Sequence, residues 1–430
     1  MEKKKSNWRA VRIDQIGKVV TGHTPPKKIT EYYGDEYVWI KPTDIEIGKR
    51  YVADTEEKYS KKAYEKYKSS LLLPFSTSVT TIGTVGKKIC LTREPCFTNQ
   101  SINTIIPHKD QFDPMFVYYL MKSNLDVVEQ RNPGTASGRH HVSKSNFSSI
   151  ELEVPDLPSQ KIIGWLLCTC DDLIENYSAQ INILKEVASL VYYEWFVALN
   201  FPEYEKTEFV NSELGNIPQG WKIEKLNNVY DIFSGGTPST KNSEYWDGEI
   251  PWLSSGETRN DFILETEKTI TKKGVENSST RLAKKGDVII ASAGQGNTRG
   301  QVSLCLIDTY INQSVVVLRS KNTTMYSTFL FYNLKSRYEE LRSISDSSSS
   351  RGSLPQSLLK SFEILLPKEN ILAKFHSMIR PMIDVIENYE RTILSLTKIR
   401  DVLLTQLLSK QINVLELGIK IPEQRNVNIF

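Results

Sequence analysis

Trp8-Arg-Ala-Val-Arg-Ile-Asp-Gln-Ile16 is followed by Thr21-Gly-His-Thr-Pro25, then by Glu31-Tyr-Tyr-Gly34 and Val38-Trp-Ile40. The same order returns 213 residues later as Trp221-Lys-Ile-Glu-Lys-Leu226, Ser234-Gly-Gly-Thr-Pro238, Glu244-Tyr-Trp-Asp-Gly248 and Pro251-Trp-Leu253. Asn99-Gln-Ser101 and Asn312-Gln-Ser314 keep that offset. Val154-Pro155 and Leu366-Pro367, then Ile174-Glu-Asn-Tyr177 and Ile386-Glu-Asn-Tyr389, follow at an offset of 212. An offset held across roughly 170 residues with one slip makes the chain two copies of one unit.

Each copy has two parts of different periodicity. The first is mixed: Tyr37–Ile40, Ser78–Ile82 and Ile102–Ile106 read as strands between Gly and Pro punctuation, and Pro114 to about Ser123 reads as a helix. In the second copy Gly286–Ile290 and Ser314–Leu318 read as strands, and Tyr326 to about Leu341 as one helix. The second part of each copy is a long amphipathic helix. Ile163, Leu166, Cys170, Leu173, Tyr177, Leu184, Val187 and Val191 recur at heptad-like spacing, with Gln180 as a polar exception. Ile379, Met382, Ile386, Tyr389, Ile393, Leu396, Leu403 and Leu407 do the same, and Arg400 breaks the series. About 38 residues of helix make a rod of roughly 57 Å.

The predicted fold class is therefore α+β: two pseudo-repeated mixed domains joined by two long helices that pair antiparallel as a coiled coil. The predicted division is 1–155, 156–210, 211–367 and 368–430. Tyr192, Tyr193, Trp195 and Phe196 make an apolar cluster at the end of the first rod, open either to partner docking or to burial against the second repeat.

A chain of 430 residues with 39% hydrophobic and 24% charged residues can bury several cores, which excludes wholesale disorder and small disulfide scaffolds. No run approaches the roughly 18 apolar residues of a membrane span. No apolar stretch stands behind Met1-Glu-Lys-Lys-Lys-Ser6, and the five cysteines are irregularly spaced, so the expected compartment is the cytoplasm. Residues 1–155 carry 24 Lys+Arg against 18 Asp+Glu, whereas residues 156–210 carry 3 against 9. The basic first part suits an anionic partner.

Catalytic motifs are not visible. Gly294-Gln-Gly-Asn-Thr-Arg-Gly300 lacks the Lys-Ser/Thr ending of a phosphate loop and the glycine spacing of a dinucleotide fingerprint. Asn132-Pro133-Gly134 lacks the aromatic residue of an amino-methyltransferase site, and Glu56-Glu57-Lys58 lacks a well-spaced third acid for a nuclease. His140-His141 has no second ligand pair at metal spacing. Cys168 and Cys170 read as core packing.

Other residues suit contact with nucleic acid. Gln295, Asn297, Thr298 and Arg299 are side-chain types that read base edges, and they sit on a glycine-rich turn after a strand. The counterpart loop holds Thr80, Thr81 and Lys87 in a similar frame with different polar groups. Ser137, Arg139, His140 and His141 in one copy, and Ser349 and Arg351 in the other, lie on small polar segments suited to gripping phosphates. Lys27, Lys28 and Lys241 follow the Thr-Pro turns.

Two variable halves that open with Trp and a Gly-x-Thr-Pro turn, each followed by a long helix bearing Ile-Glu-Asn-Tyr, resemble the specificity subunit of type I restriction–modification systems. The resemblance covers nearly the whole chain. It implies two target recognition domains, each reading one half of a bipartite site in double-stranded DNA. It also implies long helices that space the half-sites and dock two methyltransferase (M) subunits, which hold S-adenosylmethionine. A restriction (R) subunit using ATP and Mg joins such complexes, and the chain itself would hold no cofactor. The competing readings are a coiled-coil adaptor and an enzyme with an unrecognised active site in the 80–100 or 290–313 loops.

Overall fold

The computed structural model describes residues 8–132, 140–213, 215–294, 296–347 and 352–422. They form two compact units, Met1–Glu175 with Leu394–Phe430, and Asn176–Ile393. Each unit thus takes one globular part, a segment of its own long helix and a segment of the other.

In the first unit, strands Gly17–Thr21, Ile102–Pro107, Thr77–Thr80 and Ile89–Leu91 make an antiparallel sheet in that spatial order. Ile102–Pro107 is an inner strand, buried along nearly its whole length, with Asn103 and Thr104 as buried polar residues. A smaller sheet of Tyr33–Gly34, Lys58–Tyr59, Tyr37–Ile40 and Phe97–Thr98 includes a parallel pairing of Trp39 with Phe97. Helix Pro114–Ser123 starts where the sequence predicts. Asp113 accepts from Phe116 N at 2.9 Å, and proline fills the first turn, where its missing N–H leaves no bond unmade. Strand Arg9–Arg12 pairs antiparallel with Glu151–Val154, tying the opening of the globular part to its exit into the long helix.

The second unit repeats this plan. Its main sheet orders Tyr230–Ser234, Val315–Ser320, Val288–Ala291 and Val302–Cys305, with Phe262–Ile263 added in parallel. Lys222–Lys225 pairs with Glu363–Leu366 as the closing ribbon. The single helix expected over Tyr326–Leu341 is instead two, Thr324–Ser336 and Tyr338–Ser347. Arg337 breaks them: its guanidinium donates to both Glu340 oxygens and to the Glu363 carbonyl, and lies 4.1 Å from the Phe362 ring centre.

The long helices span Leu157–Tyr192 and Glu369–Leu408. In the first unit Leu166 and Leu167 share a core with Leu403, Leu404 and Leu407. In the second, the Tyr177 and Tyr389 rings lie 4.8 Å apart and Tyr192 meets Phe375. Within each unit the facing residue numbers fall along one helix as they rise along the other, so the paired segments are antiparallel.

The seam of the second helix follows most of the predicted positions, with Ile383 buried in addition and Leu396 outside the cores, and its break at Arg400 is filled by an ion pair with Asp171 at 2.7 Å. The first helix corrects the prediction. Leu173 and Val187 are exposed at 41% and 38%, whereas Ile181, next to Gln180, and Ala188, next to Val187, are buried. A stretch with apolar residues on two faces offers two heptad readings, and packing selects one. The terminal aromatics also divide. Tyr192, Trp195 and Phe196 are buried in the second unit's core, and Tyr193 is exposed. Tyr193–Val197 forms a π-turn, whose wider winding keeps Trp195 and Phe196 on the inward side.

All five cysteines are free and buried. No helix among the described residues is long and apolar enough to cross a membrane.

Candidate nucleic-acid interface

The repeated sequence motifs meet in space, and they do so twice. In the first unit His23 N donates to Thr98 O at 2.9 Å, and the Thr24 hydroxyl donates to the Gln100 side-chain carbonyl. Trp39 Nε1 donates to His23 O at 3.1 Å, and Asn99 Oδ1 accepts from Ser101 N at 3.0 Å. In the second unit Gly236 N donates to Ile311 O at 3.1 Å, and Thr237 Oγ1 donates to Gln313 Oε1 at 2.5 Å. Trp252 Nε1 donates to Gly236 O at 3.3 Å, and Asn312 Oδ1 accepts from Ser314 N at 3.0 Å. The Gly-x-Thr-Pro turn, the tryptophan and Asn-Gln-Ser are thus one joint.

Glycine is required in this joint by close approach. A Cβ on Gly22 would lie 1.9 Å from Thr98 O, and one on Gly235 would lie 2.1 Å from Ile311 O. Both obstacles are backbone and cannot rotate aside.

From the joint, the backbone leads to the candidate loops. Thr81 N donates to Ser101 O at 2.8 Å, and Val142 N donates to Thr81 O at 2.8 Å. Ser292 N donates to Ser314 O at 2.8 Å, and Leu354 N donates to Ser292 O at 2.7 Å. Isolated bridges Ile82–His141 and Ala293–Ser353 continue the contact. In each unit the turn, the glycine-punctuated hairpin and the chain that leaves the small polar segment therefore share one edge.

The individual side chains differ in what they can touch. Lys27, Lys28, Lys241, Asn297, His140 and His141 are exposed. Lys87 is exposed and paired with Glu129 at 2.5 Å. Thr80 and Thr81 are buried; their hydroxyls donate to Thr84 O at 2.5 Å and Ser101 O at 3.4 Å, so they brace the hairpin from within. Thr298 is half-buried. Arg299 is 9% exposed and ion-paired with Asp346, which makes it an anchor of its loop. The same loop is held by Tyr338 OH donating to Asn297 O at 2.7 Å and Arg342 Nη1 donating to Gly296 O at 2.9 Å. Ser137, Arg139, Gln295, Ser349 and Arg351 lie outside the described residues.

The two joints rest on different supports. Around the first turn, His23 stacks on Tyr67 at 5.3 Å, and Tyr59 OH donates to His23 O at 2.7 Å. Burial pushes the Tyr59 phenol well above its usual range, so it remains a donor. Beside the second turn stands the Trp246–Trp252 pair, with ring centres 5.0 Å apart. The exposed pairs Thr24/Gln100 and Thr237/Gln313 were absent from the sequence-derived candidates, although the shared 213-residue offset marks them.

No group of three or more His, Cys, Asp or Glu among the described residues is placed to hold a metal ion. The acids of Glu56-Glu57-Lys58 are both paired with Lys41, at 2.7 and 2.8 Å.

A twice-built joint presenting variable polar loops, set on paired long helices, defines a duplicated recognition scaffold. Residues 5–186 and 218–400 each match the type I restriction modification DNA specificity domain, and the chain belongs to that family. The MjaIX specificity subunit of a type I restriction enzyme from Methanocaldococcus jannaschii is 27% identical over 425 residues, covering 96% of this chain and 95% of the relative. The HindI specificity subunit of Haemophilus influenzae is 22% identical over 72% of this chain and 79% of its own length. The crystal structure of a type I restriction–modification S subunit from M. genitalium shares the fold, with a TM-score of 0.66 at 17% identity over 95% of this chain and 97% of that one.

Proposed function

We propose that each unit reads one half-site of a bipartite target in double-stranded DNA through the edge described above. The observation that carries this reading is the joint built twice with different polar loops, which gives one scaffold two different specificities. Arg139 and Arg351, with Ser137, Gln295 and Ser349, remain candidates for DNA contact on sequence grounds. Methyl transfer and cleavage belong to partners in the cytoplasm: two M subunits holding S-adenosylmethionine, and R subunits using ATP and Mg. The chain itself supplies address and assembly. Gel shifts with genomic fragments, with and without a co-expressed M subunit, test this. Sequence-specific retention is expected, with no methyl transfer by the chain alone; transfer by the purified chain would sink the non-catalytic reading.

The paired helices are proposed to fix the gap between half-sites. A heptad adds about 10.5 Å to a helix and keeps its seam in phase. Inserted into both helices, it is expected to lengthen the unspecified gap by about three base pairs at 3.4 Å each. Methylation mapped in cells carrying the lengthened subunit checks this, and an unchanged gap at full activity refutes it.

Docking of an M subunit is proposed along the outer face of the first long helix. Ile183, Val187, Leu190 and Tyr193 stand exposed there at helical spacing, with Val197 just beyond. Leu190→Asp is expected to change stability by no more than about 0.5 kcal/mol. The same variant should weaken M-subunit capture at least tenfold in titrated pull-downs; unchanged capture would exclude this face.

A further inference from the structure

The repeated Ile-Glu-Asn-Tyr motif puts an equivalent carboxylate on each long helix, Glu175 and Glu387. Each is held by a base from its own globular part. In the first unit Arg50 reaches out from the loop that follows Tyr37–Ile40, with its side chain only 3% exposed. Its Nε lies 3.1 Å from Glu175 Oε1 and its Nη2 2.9 Å from Oε2, a two-point grip that fixes direction as well as distance. Nη2 also lies 2.5 Å from Asp172, and Nη1 donates to Cys168 Sγ at 2.8 Å. Tyr51 stacks over the guanidinium at 4.7 Å.

In the second unit the base is Lys285, in the turn between Arg281–Ala283 and Val288–Ala291. Its Nζ lies 3.0 and 2.9 Å from the two Glu387 oxygens, and Arg391 Nη2 supports the same carboxylate at 2.8 Å. The two bases are not repeat equivalents. Leu91 N donates to Arg50 O where Leu304 N donates to Asp261 O, and Phe75 N donates to Thr92 O where Gly286 N donates to Cys305 O, so Asp261 stands in the place of Arg50 and Pro74 in the place of Lys285. The acid is therefore common to both copies, whereas its partner comes from a different loop in each.

We infer that Glu175 and Glu387 are positioning residues for target reading: each sets the angle at which its own globular part leaves the helix, and so where that part's loops fall on its half-site. The inference rests on the bipartite DNA-reading proposal. It also predicts an asymmetry. Arg50 is buried and bonds Glu175, Asp172 and Cys168, while the Lys285 side chain is about half exposed. Salt screens exposed pairs more than buried ones, so the Glu387 lock is the one that added salt weakens.

The test uses the full chain assembled with its M subunits, as wild type, Glu175→Gln, Glu387→Gln and the charge exchange Lys285→Glu/Glu387→Lys. Binding is measured to the target DNA and to versions altered in either half-site, with thermal unfolding as the folding check. Each single variant is expected to lose about tenfold of its discrimination at one half-site only, and the affected half-site differs between the two. The charge exchange is expected to restore most of the Glu387→Gln loss. Discrimination unchanged in both variants, or lost equally at both half-sites, would overturn the inference while leaving the DNA-reading proposal standing. A wild-type assembly without any sequence discrimination would overturn that proposal and the inference with it.

Discussion

Replacing Arg400 with leucine is expected to destabilise the chain by about 3–5 kcal/mol, because it breaks a buried ion pair in the helical seam. Arg400 Nη1 lies 2.7 Å from Asp171 Oδ1, with only 11% and 7% of the two side chains exposed. Tyr119 OH donates to the other Asp171 oxygen at 2.5 Å. Removing the guanidinium strands a buried carboxylate with one neutral donor. Replacing Asp171 and Arg400 together by leucine should recover the larger part, because packed apolar groups stabilise such a site about as well as the pair does. Urea unfolding of the single and double variants measures both effects. A single-variant loss under about 1 kcal/mol would mean the pair is solvated and the seam is open at this level.

The second large effect is expected at the glycine of the Gly-x-Thr-Pro turn. In Gly22→Ala the new methyl carbon would stand 1.9 Å from Thr98 O and 2.3 Å from Thr98 C, so the turn must lift away from Asn99-Gln-Ser101. Overpacking of this kind costs typically about 1–3 kcal/mol and occasionally more, and a backbone obstacle puts it at the upper end. The displaced turn loses the Thr24–Gln100 contact and moves the edge that carries Lys27 and Lys28. The first unit should then lose discrimination at its half-site while the second unit keeps its own. Each base pair read is worth about 1–3 kcal/mol, so losing one or two is visible in competition binding. Gly22→Ala with wild-type stability and wild-type discrimination at both halves would show that the joint does not place the reading edge.

The duplication was legible because close backbone approaches and capped turns tolerate few residues. Gly22/Gly235, Trp39/Trp252 and Asn99/Asn312 carry an offset that survives where the surrounding loops have diverged. The seam of the second helix was legible for a related reason: Ile379, Ile386 and Leu407 keep the spacing of one buried stripe, although Met378, Val385, Ile399 and Val402 stand exposed beside it, and Arg400 interrupts the stripe where Asp171 stands opposite. The first helix was less so. Its sequence offers apolar residues on two faces, and tertiary packing decides that Ile181 and Ala188 are buried and Leu173 and Val187 exposed.

At the candidate edge, side-chain type alone does not say which groups are free to meet a ligand. Arg299 has the chemistry of a base reader, and the structure spends it on Asp346. Thr80 and Thr81 have the chemistry of phosphate donors and are turned inward. Such fates depend on residues far away in sequence, and no local pattern announces them. The Arg50–Glu175 and Lys285–Glu387 contacts are of the same kind, joining residues 125 and 102 positions apart.

The most direct test of the account is the modified motif in the DNA of cells expressing this chain with its M subunits, read by sequencing that detects methylated bases. Two specified half-sites of different sequence, separated by an unspecified gap of fixed length, are predicted. Scrambling the hairpin and polar segment of one unit should change one half-site and leave the other half-site and the gap intact. A single uninterrupted motif, or a change in both half-sites on altering one unit, would contradict the claim that each unit reads half of the target.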